Sequence, residues 1–274
     1  MGGPMRSNAK TPKAPQPEGF SFVVPTDFAE LPSNGKYYPE DHPLHNQQVI
    51  EFKNMTAKEE DILTSKTLLK KGIAIDRVIQ NVIVDKSIDP DSLLVGDRNA
   101  LIIALRGASY GNDYETGVAC PSCSSKVQYS FDLEAANTYS GEDISDMDIA
   151  NNDDGTFEVI LPATKLTIVF KLLNGREEKN YLKSIDTGNK NKGTERVVSQ
   201  QLMAIMVSIN SDSRIETRRY VSENLPSKDS RYLRAAYKLA NPNVNLTQTF
   251  VCSSCGYEAD MEVPLSADFF WPDK

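Results

Sequence analysis

Two short motifs, Cys120-Pro-Ser-Cys123 and Cys252-Ser-Ser-Cys255, decide how this sequence must fold. Together they contain all four cysteines of the chain. A Cys-x-x-Cys turn spaces two thiolates for two corners of a tetrahedron, and two such turns complete a four-thiolate zinc site. The pattern therefore predicts one structural zinc ion, bound by Cys120, Cys123, Cys252 and Cys255, that joins two distant parts of the chain.

Strand patterns flank both motifs, over Tyr114–Ala119, Lys126–Phe131, Leu246–Val251 and Tyr257–Val263. In the last of these segments apolar and acidic residues alternate, as a strand that is buried on one face requires. Gly256 follows the second motif and suits the positive-φ turn in which backbone N–H groups point at the sulfurs. Ser124 occupies the equivalent place after the first motif, so the second motif is the better zinc knuckle.

The two motifs are separated by residues 124–251, far more than in a compact zinc ribbon. Closing a flexible loop of that length costs about 4 kcal/mol. Structural zinc binds small peptides with roughly 10–16 kcal/mol. The separation is therefore compatible with one shared ion, and the ribbon is predicted to be discontinuous.

Two other roles stay open for the cysteines, namely redox chemistry and burial as small apolar side chains. A redox Cys-x-x-Cys needs only one pair, typically at a helix N-terminus, whereas both pairs here lie between strand patterns. A thiol oxidoreductase is therefore the last of the functional hypotheses. Four thiolates also close the coordination sphere of zinc, so the metal is expected to be structural and not catalytic.

The whole sequence predicts a mixed α+β protein with four regions. Residues 1–20 are rich in Pro and Lys and predict a disordered arm. Residues 21–110 predict a mainly helical N-terminal region. Residues 111–137 together with 244–265 form the discontinuous zinc ribbon built from the two knuckles, and residues 138–243 form an α+β insertion between them.

Hydrophobic periodicity places the individual elements. The predicted helices cover about Thr56–Lys71, Asp76–Val84, Asp97–Ala108, Thr194–Ile209 and Ser227–Ala240, and the strands outside the ribbon cover Gln48–Phe52, Thr156–Leu161 and Leu166–Leu172. Thr56 and Glu59 have the spacing of a capping box, which marks the start of the first helix. The acidic stretch Ser140–Gly155 lacks the ligand order of an EF-hand and predicts a solvated linker.

Composition and motifs argue against several functional classes. The formal net charge is −8, which argues against a general affinity for nucleic-acid phosphates. No apolar run approaches the roughly 20 residues of a membrane span, and the N-terminal residues lack the apolar core of a secretory signal. The two histidines, His42 and His45, flank Pro43 in a loop pattern and leave little material for Ser-His-Asp or Cys-His catalysis. We therefore expect a cytosolic, non-enzymatic protein with no membrane partner and no small-molecule substrate.

Several segments, taken together, resemble the baseplate hub proteins of T-even-like contractile-tailed bacteriophages. They are ELPSNGKYYP (Glu30–Pro39), MTAKEEDIL (Met55–Leu63), DRNALIIALRGASYGNDYE (Asp97–Glu115) and the two cysteine motifs. The likeness spans most of Phe22–Trp271. It implies a structural or assembly role at the centre of the tail baseplate, with other hub and tail proteins as partners and no catalytic residues. The expected location is the host cytoplasm during assembly, or the tail baseplate of the virion.

Two functional hypotheses rank above the thiol oxidoreductase. The first is a hub component or hub-assembly factor stabilised by structural zinc, and the alternative is a cytosolic zinc-ribbon adaptor that binds nucleic acid or the transcription machinery. Gel-shift measurements at several salt concentrations separate them, because phosphate-driven binding weakens as salt rises. Under the first hypothesis, we expect residues 1–19 to be a docking element that orders on a neighbouring subunit during assembly.

Overall fold

A computed structural model describes residues 22–70, 72–141, 143–191, 196–263 and 267–270. Within these ranges the chain has the mixed α+β fold that the sequence predicts. The predicted arm, residues 1–20, lies outside the described residues. No helix within the described ranges combines the length and the hydrophobicity of a membrane-spanning segment.

The N-terminal region combines a small sheet with helices. Its elements are β1 (Thr26–Glu30), β2 (Val49–Lys53), α1 (Ala57–Thr64), α2 (Lys66–Lys70), α3 (Ala74–Val82) and α4 (Val95–Tyr110). β1 and β2 pair antiparallel, with Phe28 opposite Glu51. The sequence predicts β2 and the irregular connection before it, but it does not predict β1.

Helix α1 begins where the capping box predicts. The Glu59 carboxylate accepts hydrogen bonds from the backbone N–H of Thr56 at 3.1 Å and from its hydroxyl at 2.6 Å. The prediction of one continuous helix to Lys71 is wrong, because Ser65 adopts an extended conformation and ends α1 before α2 begins. Leu63, near the end of α1, is buried in the core, and α1 packs against α3. Lys71 itself lies outside the described residues.

The first cysteine motif connects two strands of an antiparallel hairpin, β3 (Asp113–Ala119) and β4 (Lys126–Asp132). A short strand, β5 (Asn137–Tyr139), follows and leads into the insertion. The two hairpin strands agree with the predicted ones to within one residue. Their alternate residues Tyr114, Val118, Val127 and Phe131 are buried, as the alternating pattern predicts.

The insertion is built on a four-stranded antiparallel sheet. Its strands lie in the order β6 (Ala150–Asn151), β7 (Thr156–Ile160), β8 (Thr167–Lys171) and, after α5 (Gly175–Asn191) and α6 (Val197–Ile205), β9 (Met206–Ile209). Two further helices, α7 (Ile215–Asn224) and α8 (Ser227–Ala240), complete it. The predicted helix Ser227–Ala240 is confirmed at both ends.

Two predictions within the insertion are wrong. The apolar stripe Thr194–Ile209 predicts one helix, but the helix ends at Ile205 and the last four residues form strand β9. Phe170 of β8 lies opposite Met206, and Ile168 lies opposite Ile209, so pairing with β8 overrides the helical pattern. Residues 194 and 195 of the predicted helix lie outside the described part.

The acidic stretch Ser140–Gly155 is more than a solvated linker. It contains a 3-10 helix, Asp143–Met147, and strand β6, which pairs with β7. Ile149 lies between them and is buried. The composition of the stretch conceals these elements because its few apolar side chains, Ile144, Met147 and Ile149, are separated by polar residues, yet all three pack against the core.

The chain leaves the insertion next to the place where it entered. Strand β10 (Asn243–Asn245) pairs antiparallel with β5, and Asn243 lies opposite Tyr139. The second hairpin follows, with β11 (Thr247–Val251) and β12 (Glu258–Glu262) on either side of the second cysteine motif. The described chain ends in a 3-10 turn, Ala267–Phe270.

Candidate metal centre

The first cysteine turn is closed by two backbone hydrogen bonds. The N–H of Cys120 donates to the carbonyl oxygen of Ser125 at 2.9 Å, and the N–H of Ser124 donates to the carbonyl oxygen of Cys120 at 2.9 Å. Ser124 has a φ of 60°, in the left-handed region. The turn therefore reverses the chain tightly between β3 and β4. Cys120 lies at the base of the turn and Cys123 at its tip.

The second cysteine turn repeats this geometry. The N–H of Cys252 donates to the carbonyl oxygen of Tyr257 at 2.8 Å, and the N–H of Gly256 donates to the carbonyl oxygen of Cys252 at 2.9 Å. Gly256 has a φ of 71°. The positive φ predicted at Gly256 is confirmed, and Ser124 adopts the same conformation although it is not glycine. The expectation that the second motif forms the better knuckle is therefore wrong, because both turns have the same backbone geometry.

The fold brings all four sulfur atoms together, although Cys123 and Cys252 are 129 positions apart. The Sγ of Cys120 lies 3.8 Å from that of Cys255, and the Sγ of Cys123 lies 3.8 Å from that of Cys252. All four sulfurs lie within 4.8 Å of one another. A tetrahedral zinc site with Zn–S bonds near 2.3 Å has sulfur–sulfur edges of about 3.8 Å. The cluster therefore has the size to hold a metal ion.

The two hairpins are also held together by contacts that involve no sulfur. The side-chain amide of Gln248 donates to the carbonyl oxygen of Asp132 at 2.6 Å and accepts from its N–H at 3.1 Å. The hydroxyl of Tyr129 donates to the carbonyl oxygen of Thr249 at 2.8 Å, and its ring packs edge-on against Phe250. These contacts fix the orientation in which the knuckles face each other.

The cluster is half inside the protein and half at its surface. Cys120 and Cys252 are buried, whereas Cys123 and Cys255 are exposed. Hydrogen bonds from the hydroxyl and the backbone N–H of Ser125 lower the pKa of Cys123 to about 6. The backbone of Tyr257 lowers the pKa of Cys255, but the neighbouring sulfur of Cys123 opposes it and raises that pKa to about 12. Adjacent thiolates thus repel one another, and a bound cation would offset this repulsion.

The histidines do not join the cysteine cluster. The Nε2 of His42 lies 2.8 Å from the hydroxyl of Ser92, and its ring stacks on Tyr38 with centroids 4.4 Å apart. The Nδ1 of His45 lies 2.8 Å from the carbonyl oxygen of Tyr38. Both residues lie in turns, as the sequence predicts. Among the residues that the structure describes, the four cysteines are the one group of metal-ligating side chains close enough to share an ion.

Comparison with known families decides the identity of the chain. Residues 25–271 match the model of the T4 bacteriophage base plate protein family. The chain belongs to this family. No curated protein and no solved structure matches it. Membership confirms the resemblance to phage baseplate proteins and implies partners in the phage tail.

Two segments that resemble baseplate proteins meet in the core of this base plate protein. The carboxylate of Asp97, in α4, accepts hydrogen bonds from the N–H of Ser33 at 3.0 Å, the hydroxyl of Ser33 at 2.6 Å and the hydroxyl of Tyr38 at 2.7 Å. The Tyr38 oxygen in turn accepts from the N–H of Leu94 at 3.0 Å. Burial raises the pKa of Asp97 despite these donors. The motif ELPSNGKYYP therefore anchors the start of α4.

Sequence reasoning misses this network and the role of Ser125. The sequence signal for the network is Asp97, an acidic residue in the apolar segment that becomes α4, because a buried carboxylate needs hydrogen-bond donors. The sequence signal for the role of Ser125 is its position as a polar residue two places after Cys123. Neither signal identifies the partner, since Ser33 and Asp97 are 64 positions apart.

Proposed function

We propose that this chain is a non-enzymatic structural or assembly component of the phage tail baseplate hub, stabilised by one structural zinc ion. The proposal rests on one combined observation: a chain that matches the family over residues 25–271 also brings four cysteine sulfurs together. The match supports the baseplate role. The cluster supports a metal that acts in architecture, because four thiolates around a tetrahedral ion leave no open coordination position.

In this proposal Cys120, Cys123, Cys252 and Cys255 are the zinc ligands. Each 3.8 Å sulfur–sulfur distance joins one knuckle to the other, so the ion would cross-link the β3–β4 hairpin to the β11–β12 hairpin. The ion would then close a loop that contains the whole insertion. Tetrahedral sites of four sulfurs take zinc or iron, and a reducing cytosol keeps the thiols available for either metal.

We also propose the four-region organisation of residues 1–20, 21–110, 111–137 with 244–265, and 138–243. The pairing of β5 with β10 supports the limits of the insertion, because Tyr139 and Asn243 lie opposite each other. The insertion therefore begins and ends at one place beside the ribbon. The first region, and residues 264 and 265 of the third, lie outside the described part of the chain.

The proposed partners are other hub and tail proteins, met in the host cytoplasm during assembly, with the tail baseplate of the virion as the final location. The net charge of −8 argues against nucleic acid as a general partner. The role requires neither a membrane nor a small-molecule substrate.

Metal analysis tests the zinc part of the proposal. Protein purified under reducing conditions should contain one zinc per chain by native mass spectrometry and plasma emission. Cys123→Ser should lose the metal, whereas Ser122→Ala, in the same turn, should retain it. Protein that contains no zinc, or that contains iron instead, would overturn this part.

Tail assembly tests the hub part. In cells infected with phage that lacks this gene, electron microscopy should show no complete baseplates, and the wild-type gene supplied from a plasmid should restore them. Normal baseplates in the absence of the protein would contradict the hub role. Salt-sensitive gel shifts with DNA or RNA would favour the zinc-ribbon adaptor instead.

A further inference from the structure

Helix α8 presents a purely basic face to solvent. Its exposed or half-buried charged residues are Lys228, Arg231, Arg234 and Lys238. The single acid of the helix, Asp229, is buried and accepts hydrogen bonds from the backbone of Ala163 and Thr164. The acid therefore points its charge away from the basic face, in a protein whose net charge is −8.

The basic side chains form no salt bridge within the described part of the chain, although the charge of Lys228 acts on the neighbouring carboxylate of Asp229. None of the four takes part in an ion pair there, although cations elsewhere in the insertion, such as Lys179 and Arg214, do so. Arg234 donates only to the carbonyl oxygen of Ser230, at 3.4 Å. Cations grouped on one face repel one another, so an external anion would lower the energy of this surface.

Three of these cations line a groove of about 480 Å³ between α8 and α6, together with Gln201, Tyr237 and Asn241. We call it the α8 basic groove. A second groove, of about 670 Å³, adjoins it, because Lys238 and Asn241 line both. The second groove adds the side-chain amides of Asn243 and Asn245. The second groove also contains the carboxylate of Glu262 and apolar side chains, so the cations are concentrated in the α8 basic groove, beside amides that both donate and accept hydrogen bonds.

This chemistry fits an extended acidic polypeptide. Carboxylates would pair with the cations, and side-chain amides can hydrogen-bond to the N–H and C=O groups of an extended backbone. Single-stranded nucleic acid fits less well, since its binding depends on aromatic rings that are free to stack on bases. The ring of Tyr237 packs against Phe170, and its hydroxyl is hydrogen-bonded to the backbone of Leu173. The ring is therefore already used within the protein.

We propose that the α8 basic groove is a docking site for an extended acidic segment of another protein. The inference goes beyond the proposed hub role and does not depend on zinc. If the hub role is correct, the acidic segment belongs to another tail protein.

Binding of a fluorescein-labelled poly-glutamate peptide to the full chain tests the proposal. Fluorescence anisotropy should show saturable binding that weakens as sodium chloride is added. The triple variant Arg231→Glu/Arg234→Glu/Lys238→Glu should lower the affinity by roughly tenfold or more, because three exposed ion pairs are replaced by repulsion. The milder variant Arg231→Gln/Arg234→Gln/Lys238→Gln should give a smaller loss in the same direction.

The matched control is Lys58→Glu/Arg77→Glu/Arg219→Glu, which changes net charge equally at exposed sites outside the groove. It should retain most of the affinity. Equal losses in both triple variants would show a non-specific charge effect and overturn the proposal. Tighter binding of a labelled oligothymidylate of the same charge than of the peptide would also overturn it. Circular dichroism and metal content of each variant show whether it is folded, and the glutamine variant provides the test if the glutamate variant is not.

Discussion

The Nε of Arg106, in α4, donates a hydrogen bond to the carbonyl oxygen of Phe269 at 2.8 Å and so joins the helix to the last described turn of the chain. The same guanidinium donates from Nη1 to Gly111 at 2.7 Å and from Nη2 to Asp113 at 3.3 Å. The side chain is fully buried, and burial lowers the pKa of its guanidinium. Gly111 caps the C-terminus of α4, where carbonyl oxygens carry partial negative charge, which suits this acceptor to the cation.

Replacing Arg106 should be strongly destabilising. In Arg106→Ala three backbone carbonyls lose their donor, and the free energy of unfolding should fall by about 3 kcal/mol or more. Arg77→Ala, at an exposed site, should change it by less than about 0.5 kcal/mol. Urea unfolding followed by circular dichroism measures both variants. Equal stability of the two variants would show that Arg106 does not anchor the terminal turn.

The buried Asp229 should make stability depend on pH. Burial raises its pKa, but the hydrogen bonds from Thr164 and Ala163, together with the positive charge of Lys228, lower it by more, so the pKa lies below the ordinary 3.8. A carboxyl whose pKa is lower in the folded state binds protons more readily when unfolded. Its stabilisation is therefore present above the unfolded pKa and is lost as the pH falls through the folded pKa.

Asp229→Asn should cost about 2 kcal/mol at neutral pH, because the amide presents one acceptor oxygen where the carboxylate presents two. The difference from wild type should shrink below the unfolded pKa, as the wild-type carboxyl also becomes protonated. Asp61→Asn, at an exposed site, is the control and should show neither effect. If the stability difference between Asp229→Asn and wild type stayed constant from neutral to acid pH, it would contradict a lowered pKa of Asp229 in the folded state.

The two knuckles allow a reciprocal exchange. Both Ser124 and Gly256 adopt positive φ, and a side chain in this conformation is strained by roughly 1 kcal/mol. Ser124→Gly should therefore raise the free energy of unfolding by up to about 1 kcal/mol, and Gly256→Ser should lower it by a similar amount. Nothing lies within 4 Å of a Cβ at position 256, so strain alone decides the result. Changes of the same sign in the two variants would exclude equivalent turns.

Gly96 and Gly117 should respond oppositely to alanine. A Cβ on Gly96 would lie 1.9 Å from the carbonyl oxygen of Pro242, whereas a Cβ on Gly117 would meet nothing within 4 Å. Gly96→Ala should force α4 away from the chain before β10 and cost about 3 kcal/mol. Gly117→Ala, in β3, should raise stability by about 0.5 kcal/mol. Thermal unfolding of the pair measures the difference, and a tolerated Gly96→Ala would disprove the close approach.

Removal of metal should loosen the ribbon. If one zinc ion cross-links the hairpins, a chelator or acidification should lower Tm, because proton binding to the thiolates competes with the metal. Added zinc at neutral pH should restore Tm in the wild type but not in Cys252→Ser. A cooperative transition that is indifferent to chelator would contradict a structural role for the ion.

Local sequence patterns predict several elements well, but they fail where contacts between distant segments determine the secondary structure. Helix α8 is predicted at both ends because its apolar stripe is clear and Asn241-Pro242 stops it. Helix α5 is not predicted, since its sequence is largely polar, although its start carries a readable signal. The Oδ1 of Asn174 accepts from the N–H of Glu177 at 3.0 Å, and the Glu177 carboxylate accepts from the N–H of Asn174 at 3.2 Å. This reciprocal cap has the Asx-x-x-Glu spacing of a helix start.

Strand β9 shows why the remaining errors could not be avoided. Met206 and Ile209 fit the helical stripe that begins before them, so the period gives no reason to end the helix at Ile205. The free edge of β8 supplies that reason, and its position depends on how the whole insertion packs. A tertiary contact of this kind overrides a local preference of a fraction of a kcal/mol per residue.

The sequence by itself determined that two Cys-x-x-Cys turns lie between strands, that Gly256 takes positive φ after the second turn, and that a large insertion separates them. These features are local, because turn chemistry and side-chain periodicity act over a few residues. Only the tertiary structure decided that Cys120 lies beside Cys255 and Cys123 beside Cys252, and that Arg106 holds the last described turn. Such pairings depend on which surfaces of distant segments pack together, and no local pattern specifies the partner.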